Sequence, residues 1–221
     1  MSYRIDEFAP EEFYHVFTRG VEKRKIFMNP SDNHRFMELL IHCLPLGPIR
    51  SYSIAKQLKQ KLPTIGSGQG LVDILCYCLM PNHFHLLLKE NVEHGITTYM
   101  QRILTSYSRY FNVRYKRSGS LFIHPFKAVM VNSDEQLIHL SRYIHLNPYV
   151  AKLAKDPLRY PWSSIEEYIT TNSQNICHPD FLQKMIPPKE YRSFVTDYAD
   201  YKLSLIEEER LMIDFDEDTP N

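Results

Sequence analysis

Two histidines one residue apart, His83 and His85, lie in the otherwise apolar run "CLMPNHFHLLLK" over residues 78–89. A neutral imidazole can lend a lone pair to a divalent cation. In an extended strand alternate side chains share a face, so His83 and His85 point one way while Phe84, Leu86 and Leu88 point the other, into a core. That spacing makes half of a metal site. It suits equally well two core-edge histidines satisfied by hydrogen bonds, and H-x-H alone does not separate the two. A second polar set lies further along. Leu137, Leu140 and Ile144 have the spacing of a buried helical stripe, and His139, Tyr143 and Asn147, four apart, form a polar stripe beside it. A tyrosine on such a stripe ordinarily completes packing at a core edge. Asn147, just before Pro148, ordinarily ends a helix, although its carbonyl oxygen could also meet a hard cation.

The elements that must carry these residues can be read from hydrophobic period and breakers. Residues 13–20 read as a first strand ending at Gly20. Residues 29–44 open with turn formers and then show helical spacing in Phe36, Leu39, Leu40 and Cys43, with Asp32 as a cap. Residues 45–70, mixing a basic helix-like piece with a Gly/Ser loop, read as an insertion. Strands over 71–80 and 83–89 meet across Pro81-Asn82. A long helix over 96–119 buries Ile96, Met100, Ile103, Leu104, Tyr107 and Phe111, while Arg102, Arg109 and Lys116 recur every seven residues on another side. Tyr107, Tyr110, Phe111 and Tyr115 read mainly as packing, although one exposed ring could stack on an unpaired base, and Trp162 reads as core. A strand over 126–132 precedes a helix over 133–148, started by Ser133 with Gln136 three residues on and stopped at Pro148. The order suits an α+β domain: an antiparallel sheet of four or more strands with helices packed mainly on one face. Residues 1–170 form the domain, and 171–221 an extension, partly helical and acidic at its end.

The formal net charge of zero conceals an asymmetry. Between His94 and Ser133 there is no Asp or Glu, whereas Arg102, Arg109, Arg114, Lys116, Arg117 and Lys127 all fall there; the acidic end "LIEEERLMIDFDEDTPN" balances them. No run has the length of a membrane span, nor does "MSYRIDEFAPEEF" resemble an export signal, so a cytoplasmic protein is expected. The four cysteines include no C-x-x-C pair and read as reduced thiols. A structural zinc site from Cys76, Cys78, His83 and His85 lacks any ligand knuckle.

Taken together, "FYHVFTRGVEKRKIF", "LMPNHFHLLL", "SRYFNVRYKRSGSLF", "RYIHLNPYVAKL" and "YPWSSIEEY" resemble, in order and over most of residues 13–168, the single-tyrosine HUH transposases, and among them the REP-associated tyrosine transposases. The resemblance implies an HUH endonuclease core of ferredoxin or RRM type. It implies that His83 and His85 bind Mg²⁺ or Mn²⁺, that Asn147 completes the metal site, and that Tyr143 is the nucleophile. The implied reaction is cleavage and rejoining of single-stranded DNA at a REP-like hairpin through a 5′-phosphotyrosine. A covalent link conserves the bond energy, so a new 3′-hydroxyl can reverse the step without a nucleotide cofactor. A free tyrosine phenol has a pKa near 10, so its proton must leave during attack; His139 or a metal-bound water are candidate acceptors, His139 being equally a surface or packing residue.

Backbone binding by single-stranded or hairpin DNA would fall to Arg19, Lys23, Arg24, Arg102, Arg109, Lys116 and Lys127, each of which also has a plain reading as a solvated charge. No membrane partner is expected, and the chain should act as a monomer or homodimer. The competing expectation is a domesticated hairpin-binding regulator that does not cleave; it would have no use for His83, His85, Tyr143 and Asn147 together.

Overall fold

Alternation in β1 (Phe13–Arg19) sends Tyr14, Val16 and Thr18 to one side of a sheet and His15, Phe17 and Arg19 to the other. Its neighbours are β3 (His83–Glu90) and β4 (Lys127–Val131), and β2 (Val72–Met80) pairs with the far edge of β3. The order is β2-β3-β1-β4 with every pair antiparallel. The computed structural model describes residues 8–64, 66, 68–123, 125–170 and 176–199. The acidic end of the chain therefore lies outside the described residues.

The two faces of the sheet are covered differently. Tyr14, Val16, Phe84, Leu86 and Leu88 build a first core with α1 (Pro30–His42) and α3 (Gly95–Arg114). Burying each such side chain contributes about 2 kcal/mol. On the other face Leu75, Cys76, Cys78, Met80 and Leu87 build a second core with α4 (Asp134–Val150). Between α1 and β2 lies the short α2 (Tyr52–Gln57), and after α4 come α5 (Ile165–Ile169), α6 (Asp180–Gln183) and a helical run over 188–199. The four-stranded antiparallel α+β sheet is as expected, but helices cover both faces instead of mainly one, α1 and α3 on the first and α4, α5 and α6 on the second, because β2 and β3 are apolar on both sides. Leu182, Tyr191, Val195 and Ala199 are buried in the second core, so the described part of the extension is built into the domain.

Three local readings are refined. Asn29, rather than Asp32, caps α1 by accepting from the Ser31 amide at 3.0 Å. Asp32, at the third helical position, reaches back to the Met28 and Asn29 amides and accepts from the Tyr110 and Tyr115 hydroxyls, tying α1 to the end of α3. Helix α3 ends at Arg114, and Lys116 takes a left-handed φ of 49°. Helix α4 starts as read, with the Gln136 amide donating to Ser133 Oγ at 3.1 Å, but runs through Pro148 to Val150. Proline deletes only the amide that would have bonded one turn back; the Ala151 amide still donates to the Asn147 carbonyl at 2.9 Å, and the turn persists.

A buried chain of hydrogen bonds fixes α4. His145 Nδ1 meets the Tyr191 hydroxyl at 2.7 Å, and Nε2 meets Ser164 Oγ at 2.9 Å. Ser164 Oγ in turn accepts from the Tyr77 amide of β2, and the Tyr191 hydroxyl donates to Ser141 Oγ. Burial pushes the His145 imidazole down from 6.5 to about 3. The unfolded chain then binds the extra proton between those values, so this stability is full above pH 6.5 and is lost as pH falls toward 3. Between pH 7 and 5, His145 should remove about 2 kcal/mol of folding free energy. Urea denaturation of wild type and His145→Gln at both pH values checks this: the variant should lose that much less on acidification, and equal losses would contradict it.

Candidate active site

His83 and His85 share the second face of β3 as the alternation requires, with ring centroids 5.1 Å apart. The Pro81-Asn82 turn that delivers them is clamped from below. The Gly20 amide donates to the Asn82 carbonyl at 2.9 Å, and the Ile26 and Phe27 amides donate to the Pro81 carbonyl. Gly20 is required there, because a Cβ would collide with the Arg24 carbonyl as the chain folds back.

That clamp also orients the first imidazole. Asn82 Nδ2 donates to the Lys23 carbonyl at 3.2 Å, which turns Asn82 Oδ1 toward His83 Nδ1 at 2.6 Å. An amide oxygen only accepts, so His83 carries its proton on Nδ1 and a lone pair on Nε2. His85 Nδ1 lies 2.9 Å from Nε2 of His15 on β1, a residue that sequence reasoning missed. One proton lies between these two rings; when His85 is the donor, its Nε2 is also left with a lone pair. Burial, and secondly the Arg19 charge, push His83 down to about 4. Burial, then His15, His83 and Arg19, push His85 well below 6.5. Burial alone pushes His15 down to about 4. All three rings are therefore neutral at pH 7, as lone-pair donors must be.

Tyr143 reaches this cluster from α4 in the same chain. Its ring stands edge-on to His85 at 5.8 Å and to His15 at 6.2 Å between centroids. It is 47% exposed, open enough for a substrate to meet the hydroxyl. Asn147, one turn on, donates Nδ2 to the Tyr143 carbonyl at 2.8 Å, which spends its nitrogen and leaves Oδ1 as its acceptor. Both residues line a cavity of about 370 Å³ with His139, Arg142, Leu146, Val150 and Tyr198. His139 is differently engaged: its Nδ1 accepts from Arg142 at 2.8 Å, so that lone pair is taken. The Arg142 guanidinium is held between the Phe194 and Tyr198 rings, 4.0 and 3.9 Å from their centroids.

The basic residues divide by location. Arg19 ends β1 on the site face, exposed and without an ion pair among the described residues, and Lys127 sits on that face of β4 opposite Phe17. Lys23 is exposed in the turn, while Arg24 is bonded to Glu22 and to the Val21 carbonyl. Arg102 donates to the carbonyls of Cys43, Pro45 and Gly47 and so holds a loop. Arg109 is exposed, but on a helix that covers the opposite face of the sheet; the expected DNA-binding stripe of α3 does not border the site. Lys116 lies past the end of α3, with its amide donating to the Val113 carbonyl.

Could this donor set hold a divalent cation? Two neutral imidazoles with Nδ1 engaged fit an ion that keeps most of its shell for water and phosphate; Asn147 stands one helical turn beyond Tyr143, whose ring contacts His85. Among the described residues no group of three or more His, Cys, Asp or Glu is placed to hold a metal. Cys76 and Cys78 are buried in the second core, and burial raises both thiols.

With the geometry established, comparisons give two likenesses. Residues 48–147 match the family model described as "Transposase IS200 like", a span that ends on Asn147. The fold is similar to that in a solved structure described as "Structure of the REP associates tyrosine transposase bound to a REP hairpin". That match has 11% sequence identity and a TM-score of 0.55, and covers 80% of this chain and 91% of that one. At that identity the likeness speaks for the fold. No curated protein matches this chain. The family model agrees with the resemblance read from the sequence motifs, and the structural likeness agrees with the fold that resemblance implied. Among the described residues no helix is long and apolar enough to cross a membrane.

The orientation of His83 can be measured directly. Two-bond ¹⁵N–¹H correlation spectra should show His83 in the Nδ1–H form, and Asn82→Ala should convert it to a mixture at a cost of about 1 kcal/mol in stability. An unchanged tautomer in the variant would refute the assignment to Asn82.

Proposed function

On an IS200-like transposase scaffold, we propose, this chain cleaves and rejoins single-stranded DNA beside a REP-like hairpin, using Tyr143 as nucleophile. The observation that carries the reading is the approach of a half-exposed Tyr143 ring to His85, with His83 adjacent, all within one chain. In the step proposed, Tyr143 Oη forms a bond to phosphorus, the bond to the 3′-oxygen breaks, and that oxygen leaves as a 3′-hydroxyl. The DNA 5′-phosphate stays on Tyr143, and attack by another 3′-hydroxyl restores a phosphodiester and frees the phenol. The phenolic proton departs as the bond forms, and the exposure of Tyr143 makes water an available acceptor. A Mg²⁺ or Mn²⁺ ion bound by His83 and His85, with Asn147 Oδ1 as the third protein ligand, would neutralise a non-bridging phosphate oxygen. Arg19 brings a positive charge to the same edge, where a phosphate could pair with it. A cis arrangement of Tyr143 with the histidines lets one copy carry a complete set.

The second reading is a hairpin binder that regulates or organises DNA without cutting it. It is favoured by the absence, among the described residues, of a third strong ligand beside the two imidazoles.

Labelled hairpin oligonucleotides with single-stranded flanks, incubated with Mn²⁺ or Mg²⁺ and run on a denaturing gel, separate the two. Wild type should form a covalent adduct and Tyr143→Phe none, with affinity for the DNA held within about twofold. His83→Ala or His85→Ala should slow adduct formation by about 100-fold or more. Binding with no adduct from wild type would leave the regulatory reading.

A further inference from the structure

We propose that the open half of the site face, centred on Phe17, is a stacking platform for an unpaired nucleotide of the strand that reaches Tyr143. The proposal deepens the DNA reading above and rests on it. Helix α4 covers the β2 and β3 half of this face, where Cys76, Cys78 and Leu87 are fully buried. Toward the Arg19 end of β1 and the Lys127 end of β4 the cover ends: His15 and Phe17 are partly exposed, Val129 is 43% exposed and Lys127 is exposed, whereas Phe13 and Val131, at the other end, are packed in the second core. Tyr143 stands at the boundary, against His15 and His85.

The register then specifies what a bound strand would meet. His85 pairs with Phe17, and Phe17 pairs with Lys127, so the three side chains form one row across β3, β1 and β4. Adjacent strands lie about 4.8 Å apart. A nucleotide with its phosphate at His85 and Tyr143 has its base within reach of the Phe17 ring. That ring is already part of a pile: it lies 4.8 Å from His15 at 33° and 5.9 Å from His85 at 34°, and the two imidazoles stack at 5.1 Å and 21°. A base added to this pile continues a set of nearly parallel rings.

Charge selects the occupant. The positions that face the site from β1 and β4 are Phe13, His15, Phe17, Arg19, Lys127, Val129 and Val131, with no carboxylate among them. An aromatic ring flanked by cations and by an aliphatic surface suits unpaired nucleic acid, whose bases stack and whose phosphates are anionic. Arg19 and Lys127 lie together at one end of this patch, a pair of cations for which a self-associating apolar surface would have no use.

The test places 2-aminopurine at each unpaired position of a hairpin oligonucleotide and follows binding in EDTA, where cleavage does not intrude. Wild type should quench the probe at one position next to the cleavage site. Phe17→Leu should lose that quenching and bind about tenfold more weakly, while Phe17→Trp keeps both. An oligonucleotide abasic at that position should bind wild type as weakly as it binds Phe17→Leu, so the base and the ring are not additive. Thermal unfolding checks that the leucine variant is folded; if it is not, wild type against Phe17→Trp on the abasic oligonucleotide decides by the same rule. Equal binding of both oligonucleotides by wild type and leucine variant would overturn the platform. So would an equal loss on the abasic strand, or a change confined to self-association in sedimentation. Adduct formation is read separately: quenching without an adduct keeps the platform and removes cleavage, and an adduct without quenching does the reverse.

Discussion

The antiparallel pairing of Phe17 with His85 and Arg19 with His83 decides which side chains of β1 and β3 meet. Slipping that pairing by one residue would turn the imidazoles into the first core and expose Phe84, Leu86 and Leu88. The register is therefore held by apolar side chains that take no part in the site. Phe84, packed against Phe36 at 4.8 Å, and Leu86 and Leu88, fully buried, set the position of His83 and His85 from behind. The site is the reverse side of a well-packed core.

The same division of labour recurs on α4. Its inward side carries Ser141, Ile144 and His145, all buried, with Ser141 bonded to Tyr191 and His145 to Tyr191 and Ser164, and its outward side carries Tyr143 and Asn147. Arg142, clasped by two aromatic rings, prevents the helix from rolling on its long axis. Segment 176–199 thus supports the helix that carries the tyrosine, through Tyr191 on His145 and Phe194 and Tyr198 on Arg142. This arrangement keeps the polar groups of a buried network fully partnered, which is the condition under which such a network strengthens rather than weakens a fold.

Strands and the histidine pair were legible because a period of two leaves a clear trace in "HFHLLL", and Ser133 with Gln136 announced a helix that begins where expected. What could not be read depended on distant partners. His15 lies 70 positions from His85, and only the β1–β3 register brings them together. Arg102 repeats with Arg109 and Lys116, yet the repeat reports a side of a helix and not the side of the sheet on which that helix lies. Pro148 was a sound local stop signal, outweighed by the packing of the helix around it. Nothing in the sequence marked Phe17, whose significance comes from what α4 leaves uncovered.

The uneven cover of the sheet carries a directional consequence. A polymer lying on the open flank would meet the phenol from the β1 and β4 side, since α4 covers the β2 and β3 side. Handedness of the β-sheet and the entry angle of that helix would then dictate which end of a threaded strand arrives first, before any nucleotide is discriminated from another.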